Sequence, residues 1–246
     1  MTHMVSTSFS LGLAPTEMHR VAQTKQGLEL DAQQAGGDAR VLDANIWLKQ
    51  AAPHYRISED IRDYIIVALP SIVTSVPNTN GDSASFKELT AFNPEFGQMA
   101  YRTWVGKPTH VEHDNKDITK AKGVIFDTYL RPLPRNRKFA KLVKLMGFDR
   151  TKDSYLVNKL LSGEINTYSM GMYYSSYTCP VCGARVGKGI GAPCVHTRPR
   201  RPTYQLPDGR LAYRMCEGLV GFETSVVLDP AYVAAQSDVI WDLSKL

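Results

Sequence analysis

Apolar positions in this chain come in short runs separated by polar turns, not in long helical stripes. Tyr64 to Val76 is dense in branched apolar residues and is followed by Pro77-Asn78-Thr79-Asn80-Gly81-Asp82, a cluster of turn formers. This predicts a strand followed by a hairpin or loop. Gly123 to Leu130 predicts a second strand. Residues 164–170 alternate Ile165, Thr167 and Ser169 with Asn166, Tyr168 and Met170, the period of a strand, and 219–228 (LVGFETSVVL) predicts another. Phe139, Leu142, Val143 and Met146 follow i, i+3, i+4, i+7 spacing and predict a helix over 135–147 with a lysine-rich outer face. A second helix fits 153–162, stopped by Gly163. Residues 171–215 are rich in Gly, Pro, Cys and Arg and show no core-forming pattern. Residues 1 to about 56 are rich in Gln, Ala and Asp and predict a flexible or leader-like N-terminal arm. The domain proper is then 57–246, and its class is α+β: a mostly antiparallel β-barrel or sheet surrounded by helices.

Composition narrows this little. With 246 residues, 43% apolar and 22% charged, the chain is long enough for one self-sufficient core and is neither fibrous nor wholly disordered by composition. Its longest apolar run, Tyr64 to Leu69, is ended by Pro70 and is too short to span a bilayer. The N-terminus MTHMVSTSFSLGLAP lacks a basic region and a long apolar stretch, so no secretion signal is expected. Four cysteines are then expected as reduced thiols, available to a metal. The net charge of +5 is concentrated between Arg131 and Arg150, where seven cations meet a single acid, Asp149. On the predicted helix these form a solvated face, or a docking surface for an acidic partner.

The cysteines carry the clearest local chemistry. Cys179-Pro-Val-Cys182 is a C-x2-C turn, which brings two thiols to one side, and Cys194-Val-His196 follows. Cys179, Cys182, Cys194 and His196 make a complete tetrahedral Zn2+ set, with no open position, so a structural zinc is expected within a knuckle insert of about 171–215. Cys216 reads as a buried thiol and a substitute ligand. Two other patterns fail on their own requirements. Gly183 to Lys188 is one residue short of a phosphate loop and Gly189 stands where Ser or Thr is needed. His110-Val-Glu112 with Cys179-x2-Cys182 lacks the proline of the zinc deaminases, since Thr178 precedes Cys179.

Three more segments stand out: GKPTHVEHDNKDITKAKGVIFD (106–127), INTYSMG (165–171) and FETSVVLDPA (222–231). They offer histidines, a serine before a Met-Gly pair that could turn, and a carboxylate on an alternating strand. A serine hydroxyl becomes a nucleophile when a histidine takes its proton, and that histidine needs a carboxylate to fix its tautomer. Gly171 would permit a turn whose N–H groups face an oxyanion. By spacing alone, such a serine is as well a polar strand residue and such a glutamate a solvated one. His110 competes with His113 as base, and on an extended segment their odd offset points them to opposite faces. Asp114 competes with Glu223 as the orienting acid.

The order HVEHDN…GVIFD, YSMG, a C-x2-C…C-x-H insert and FETSVV.DPA resembles the prohead (head-maturation) proteases of large tailed bacteriophages, in the broad superfamily of the herpesvirus assemblins. The resemblance spans roughly residues 60–235. It implies a β-barrel surrounded by helices, a serine endopeptidase, His113 as general base, Ser169 as nucleophile and Glu223 as the acid. It implies capsid and scaffold proteins as substrates, possible self-cleavage, a location inside a viral procapsid in the host cytoplasm, and no cofactor in the chemistry itself. Membrane partners are not expected, and a homo-oligomer is compatible with it. Two other classes compete: a zinc-stabilised nucleic-acid-binding protein, using Arg198-Pro-Arg200-Arg201 and the 131–150 patch, and a non-catalytic capsid scaffold protein. Nucleic-acid binding is disfavoured because those patches contain almost no aromatic residues for base stacking.

Overall fold

The computed structural model describes residues 44–133, 136–198, 202–232 and 235–245. Its centre is a seven-stranded sheet. Helix α1 (Ala44–Tyr55) leads into β1 (Tyr64–Val73), which is followed by β2 (Asp82–Ala84), helix α2 (Phe86–Leu89) and the short ribbon of β3 (Phe92–Asn93) and β4 (Gln98–Met99). Then come β5 (Pro108–Val111), β6 (Gly123–Leu133), β7 (Asn136–Asp149), helix α3 (Ser154–Leu161) and β8 (Tyr168–Tyr173). The remaining strands are β9 (Ser176–Thr178), β10 (Arg185–Gly187), the ribbon of β11 (Tyr204–Gln205) and β12 (Leu211–Ala212), β13 (Arg214–Glu217), β14 (Val220–Val226) and β15 (Val239–Asp242).

The large sheet runs β15-β1-β7-β6-β5-β14-β8, antiparallel throughout except for the parallel pair β5/β14. The class is therefore α+β and mostly sheet, but the barrel expectation is corrected: the sheet stays open, with β15 and β8 as its edges. It curls far enough for residues 235–238 to strap one side to the other. Tyr168 N donates to Ala235 O at 3.1 Å and Asp238 N to Ala68 O at 2.9 Å. A second sheet, β10-β9-β13-β2, lies beside it and carries the cysteine-rich segment.

Both faces of the large sheet are covered, which explains the densest sequence run. In β1, Ile65, Val67 and Leu69 enter one core with Leu142, Met146, Phe148 and Trp104. Tyr64, Ile66 and Ala68 enter a second core with Val143, Leu145 and Phe126. Each buried Ile, Val, Leu, Met or Phe among them contributes about 1.5–3 kcal/mol. The helix predicted over 135–147 is instead the strand β7. Its apolar residues fall on both parities because both faces are buried, and that pattern imitates helical spacing over a short window. The solvated face needs correction at Lys144, which is fully buried; Arg150 pairs with Asp242 at 2.6 Å and the exposed Arg131 with Asp238, while Arg135 and the side chains of Arg137 and Lys138 lie outside the described residues. Gly147 is required by packing, since a Cβ there would stand 1.9 Å from the Phe126 ring.

The helix predicted over 153–162 is present as α3, capped by Asp153, whose side chain accepts from Leu156 N. Leu156, Val157 and Leu160 seat it on the first core. The arm boundary at 56 needs correction for its last turns. Helix α1 lies inside the residues assigned to the arm, yet its Leu48 and Ala52, one turn apart, are buried in the second core. Residues 1–43 lie outside the described residues. Among the described residues, no helix is long and apolar enough to cross a membrane.

Candidate active site and metal centre

Strand β5 ends at Val111, and the next two residues take left-handed backbone conformations, φ 50° at Glu112 and 55° at His113. Such conformations cost about 1–3 kcal/mol each in non-glycine residues and persist only where surrounding structure enforces them. Here the end of β14 does so. Glu112 N donates to Val226 O at 2.8 Å, and Glu112 Oε1 accepts from Leu228 N at 2.7 Å. The turn folds His113 back over the sheet, with its Nδ1 2.8 Å from Glu223 Oε1. Glu223 is 1% exposed, whereas the His113 side chain is 41% exposed, so a buried acid holds an accessible imidazole.

The second carboxylate oxygen of Glu223 is fixed by Ser225, whose Oγ donates to Oε2 at 2.6 Å. Glu223 and Ser225 are two apart on β14 and so share a face. In β8, Gly171 stands opposite Glu223 and Ser169 opposite Ser225. Ser169 therefore lies on the same face as the His113–Glu223 pair, one cross-strand step from Ser225. No hydrogen bond joins Ser169 to His113 among the described residues.

Gly171 does not turn the chain, as the sequence suggested; β8 runs straight through it. Its role is steric. A Cβ at 171 would stand 2.3 Å from the Phe222 ring and 2.6 Å from Glu223 Oε1. The glycine thus admits the carboxylate toward β8, the strand that carries Ser169.

His113 has a pKa raised above the ordinary imidazole value, chiefly by its hydrogen bond to Glu223 and against the opposing effect of burial. His110 behaves oppositely: burial lowers its pKa. It is 1% exposed, and neither ring nitrogen has a hydrogen-bond partner among the described residues. The expectation that the two histidines face opposite ways fails because the chain is not extended at 112–113. His110 pairs in register with Ser225 and shares its face. Asp114, the rival acid, is exposed and bonds Lys120 at 2.8 Å, not His113.

Beneath this face, on the core side of the sheet, lies Lys144. Its Nζ donates to Thr224 Oγ1 at 2.8 Å and sits 4.4 Å from the centre of the Trp104 ring. Burial drives its pKa well below the ordinary lysine value. Ser225 and Lys144 were both missed by sequence reasoning. The E-x-S spacing on a strand was a usable signal for Ser225, whereas a buried lysine gives none.

The predicted metal ligands do converge. One donor atom from each of Cys179, Cys182, Cys194 and His196 lies within 4.8 Å of all the others. Tetrahedral zinc–thiolate bonds require sulfur atoms about 3.8 Å apart, so the set needs only slight contraction around an ion. The turn closes through Gly183, at φ 72°, whose N–H donates to Cys179 O at 2.9 Å. His196 Nδ1 is buried without a partner among the described residues, leaving the imidazole free to ligate. The residues therefore fit a four-coordinate ion of zinc type. Cys216 is buried at the foot of β13, 3.8 Å from Asp82, and takes no part.

No protein-family model, curated protein or solved structure matches this chain.

Proposed function

We propose that this chain is a serine endopeptidase in which Ser169 is the nucleophile, His113 the general base and Glu223 the orienting acid. One observation supports this above all: a buried carboxylate holds a half-exposed histidine, through strained backbone, on the sheet face that bears Ser169. Glu223 keeps the proton of His113 on Nδ1, so that Nε2 is left to accept from Ser169 Oγ. The serine oxygen then attacks a peptide carbonyl carbon. The proton passes through His113 to the leaving amine, and water releases the acyl group by the reverse path. The carboxylate offsets the charge that develops on the imidazole.

The setting rests on the resemblance of the motif order HVEHDN, YSMG and FETSVV.DPA to that of the prohead proteases. In this reading the substrates are scaffold and major capsid proteins, cleaved inside a procapsid during head maturation. The Cys3His cluster holds a structural Zn2+, which supplies order to a segment with little core of its own and takes no part in the hydrolysis.

The test is co-expression with candidate capsid and scaffold proteins. Wild type should process them, and Ser169→Ala should lower the cleavage rate by about 10³-fold or more. Processing that survives Ser169→Ala would sink the assignment.

A further inference from the structure

One face of β8 leads from Ser169 to an open pocket. Ser169, Gly171 and Tyr173 share that face, and Val220 of β14 stands opposite Tyr173. The ladder slips between Gly221 and Glu223, so Phe222 is an extra residue. Its ring lies over Gly171 and stacks on Tyr173, with centroids 4.4 Å apart and 27° between the planes. Tyr173 is still 64% exposed. A chain crossing this face leaves the outer edge of β8 alone, where Thr167 and Tyr168 already pair with Gln236 and Ala235.

Past Tyr173 lies a pocket of about 410 Å³, well above the 150 Å³ or so that holds a benzene ring. Phe92, Tyr173 and Tyr174 give it aromatic surface, and Glu88 and Glu95 give it carboxylates. Glu88 is fixed in place: its Oε2 accepts from Gly218 N at 3.1 Å, and its own N–H is capped by Ser85 Oγ at 3.1 Å. Among the described residues no Lys, Arg or His lines the pocket, and neither glutamate forms an ion pair. Asp82 and Glu217 of the second sheet differ, being paired with Arg214 and Arg185. The pocket therefore combines exposed rings with uncompensated negative charge. Arginine complements both at once, since its planar guanidinium stacks on a ring while donating to a carboxylate. The ribbon of β3 and β4 shows half of this contact within the chain: Lys107 Nζ lies 5.6 Å from the centre of the Phe96 ring.

Resting on the reading of Ser169 as nucleophile, we propose that this pocket is a substrate subsite taking an arginine side chain some four residues from the scissile bond. Tyr173 lies four residues beyond Ser169 on one strand, about 13 Å at the rise of extended chain, and an extended substrate covers that distance with as many residues. Glu88 and Glu95 are the specificity-determining acids, and Tyr173 is the ring on which the guanidinium rests.

The experiment profiles an equimolar library of mixed-sequence tetradecapeptides with wild type, Glu88→Gln, Glu95→Gln and Glu95→Lys. In parallel, a small fluorophosphonate that needs no subsite measures the reactivity of Ser169. Wild type should enrich Arg, and Lys less, at one position about four residues from the cut. Each Gln variant should lower that enrichment about threefold, the worth of one exposed ion pair, with labelling changed by less than about twofold. Glu95→Lys should turn the preference toward Asp and Glu. Glu95 is exposed, so its variants carry the test if Glu88→Gln does not fold. A wild type without basic preference, or a preference that folded Glu95→Lys leaves unchanged, overturns the inference. So does a dimer in sedimentation that Glu95→Lys dissociates, since the pocket would then belong to a second copy of the chain. If wild type is labelled at Ser169 but cuts no peptide, the subsite assignment falls alone. If it neither labels nor cuts, the nucleophile reading falls and takes this inference with it.

Discussion

The large sheet and the cysteine-rich module reach order by opposite routes. In β1, every residue from Tyr64 to Leu69 is buried, and both faces of the sheet join apolar cores. Across residues 176–212, Tyr177, Cys179 and Ala212 are the buried apolar residues among those described. The first region has surplus packing with which to hold left-handed backbone at Glu112 and His113 and a buried lysine beneath them. The second has almost none, but it brings four potential metal ligands together. Backbone strain sits on the first region, and the ordering of the second is what the proposed ion would supply.

The sharpest way to break the comparison is to take the metal away. Purified protein should contain one zinc per chain. Chelation, or Cys182→Ser, should remove apparent stabilisation on the order of 10 kcal/mol from the module. Hydrogen exchange should then accelerate through 176–187 and 214–217 and stay slow through 64–69 and 142–148. Equal loss of protection in both regions would show that they are one cooperative unit. Metal-free protein with full protection would rule out the zinc centre.

Glu223→Gln acts on the large sheet alone. It should lower kcat/KM by about 10³–10⁴-fold, as the loss of an orienting carboxylate does, with no change in metal content. It also tests the charge logic. His113 must be neutral to act as base, and its pKa is raised by Glu223, so activity in wild type should rise with pH along a limb displaced above the ordinary histidine range. In the variant that limb should move toward lower pH. A limb that does not move places the titrating base elsewhere.

The smallest effect concerns Lys144. A lysine whose pKa is lowered by burial is a burden at every pH where the unfolded lysine is charged. Stability should therefore rise as pH climbs from the depressed folded value toward the unfolded one. Lys144→Met should stabilise the protein by about 1–4 kcal/mol and flatten that dependence in thermal melts. Destabilisation would mean that the bond to Thr224 outweighs the cost of burying the amine.

What could be read in advance follows from how local the information is. The Cys/His set is legible because its ligands lie within a short span and the C-x2-C turn imposes its own geometry. Strands β6, β8 and β14 are legible from residue type and alternation. The β7 strand is not, because burial on both faces erases alternation and leaves Phe139, Leu142, Val143 and Met146 looking helical. The openness of the sheet is not legible either, since closure depends on how its edges meet. His113 and Glu223 could be paired only through the order of their motifs, since 110 residues separate them. Gly171 was singled out for a turn, but the requirement at that position is space for a carboxylate and a phenyl ring. Such a requirement exists only once β8 and β14 are side by side.

Strand β14 has one more consequence, in time. Among the described residues of the large sheet it is the one ladder partner of the Ser169 strand, and it also carries Glu223 and clamps the turn that aims His113. A chain growing from the ribosome has its serine and histidine long before it has that strand, and domains fold only as their segments emerge. The arrangement of His113, Glu223 and Ser169 therefore cannot form until β14 has been made.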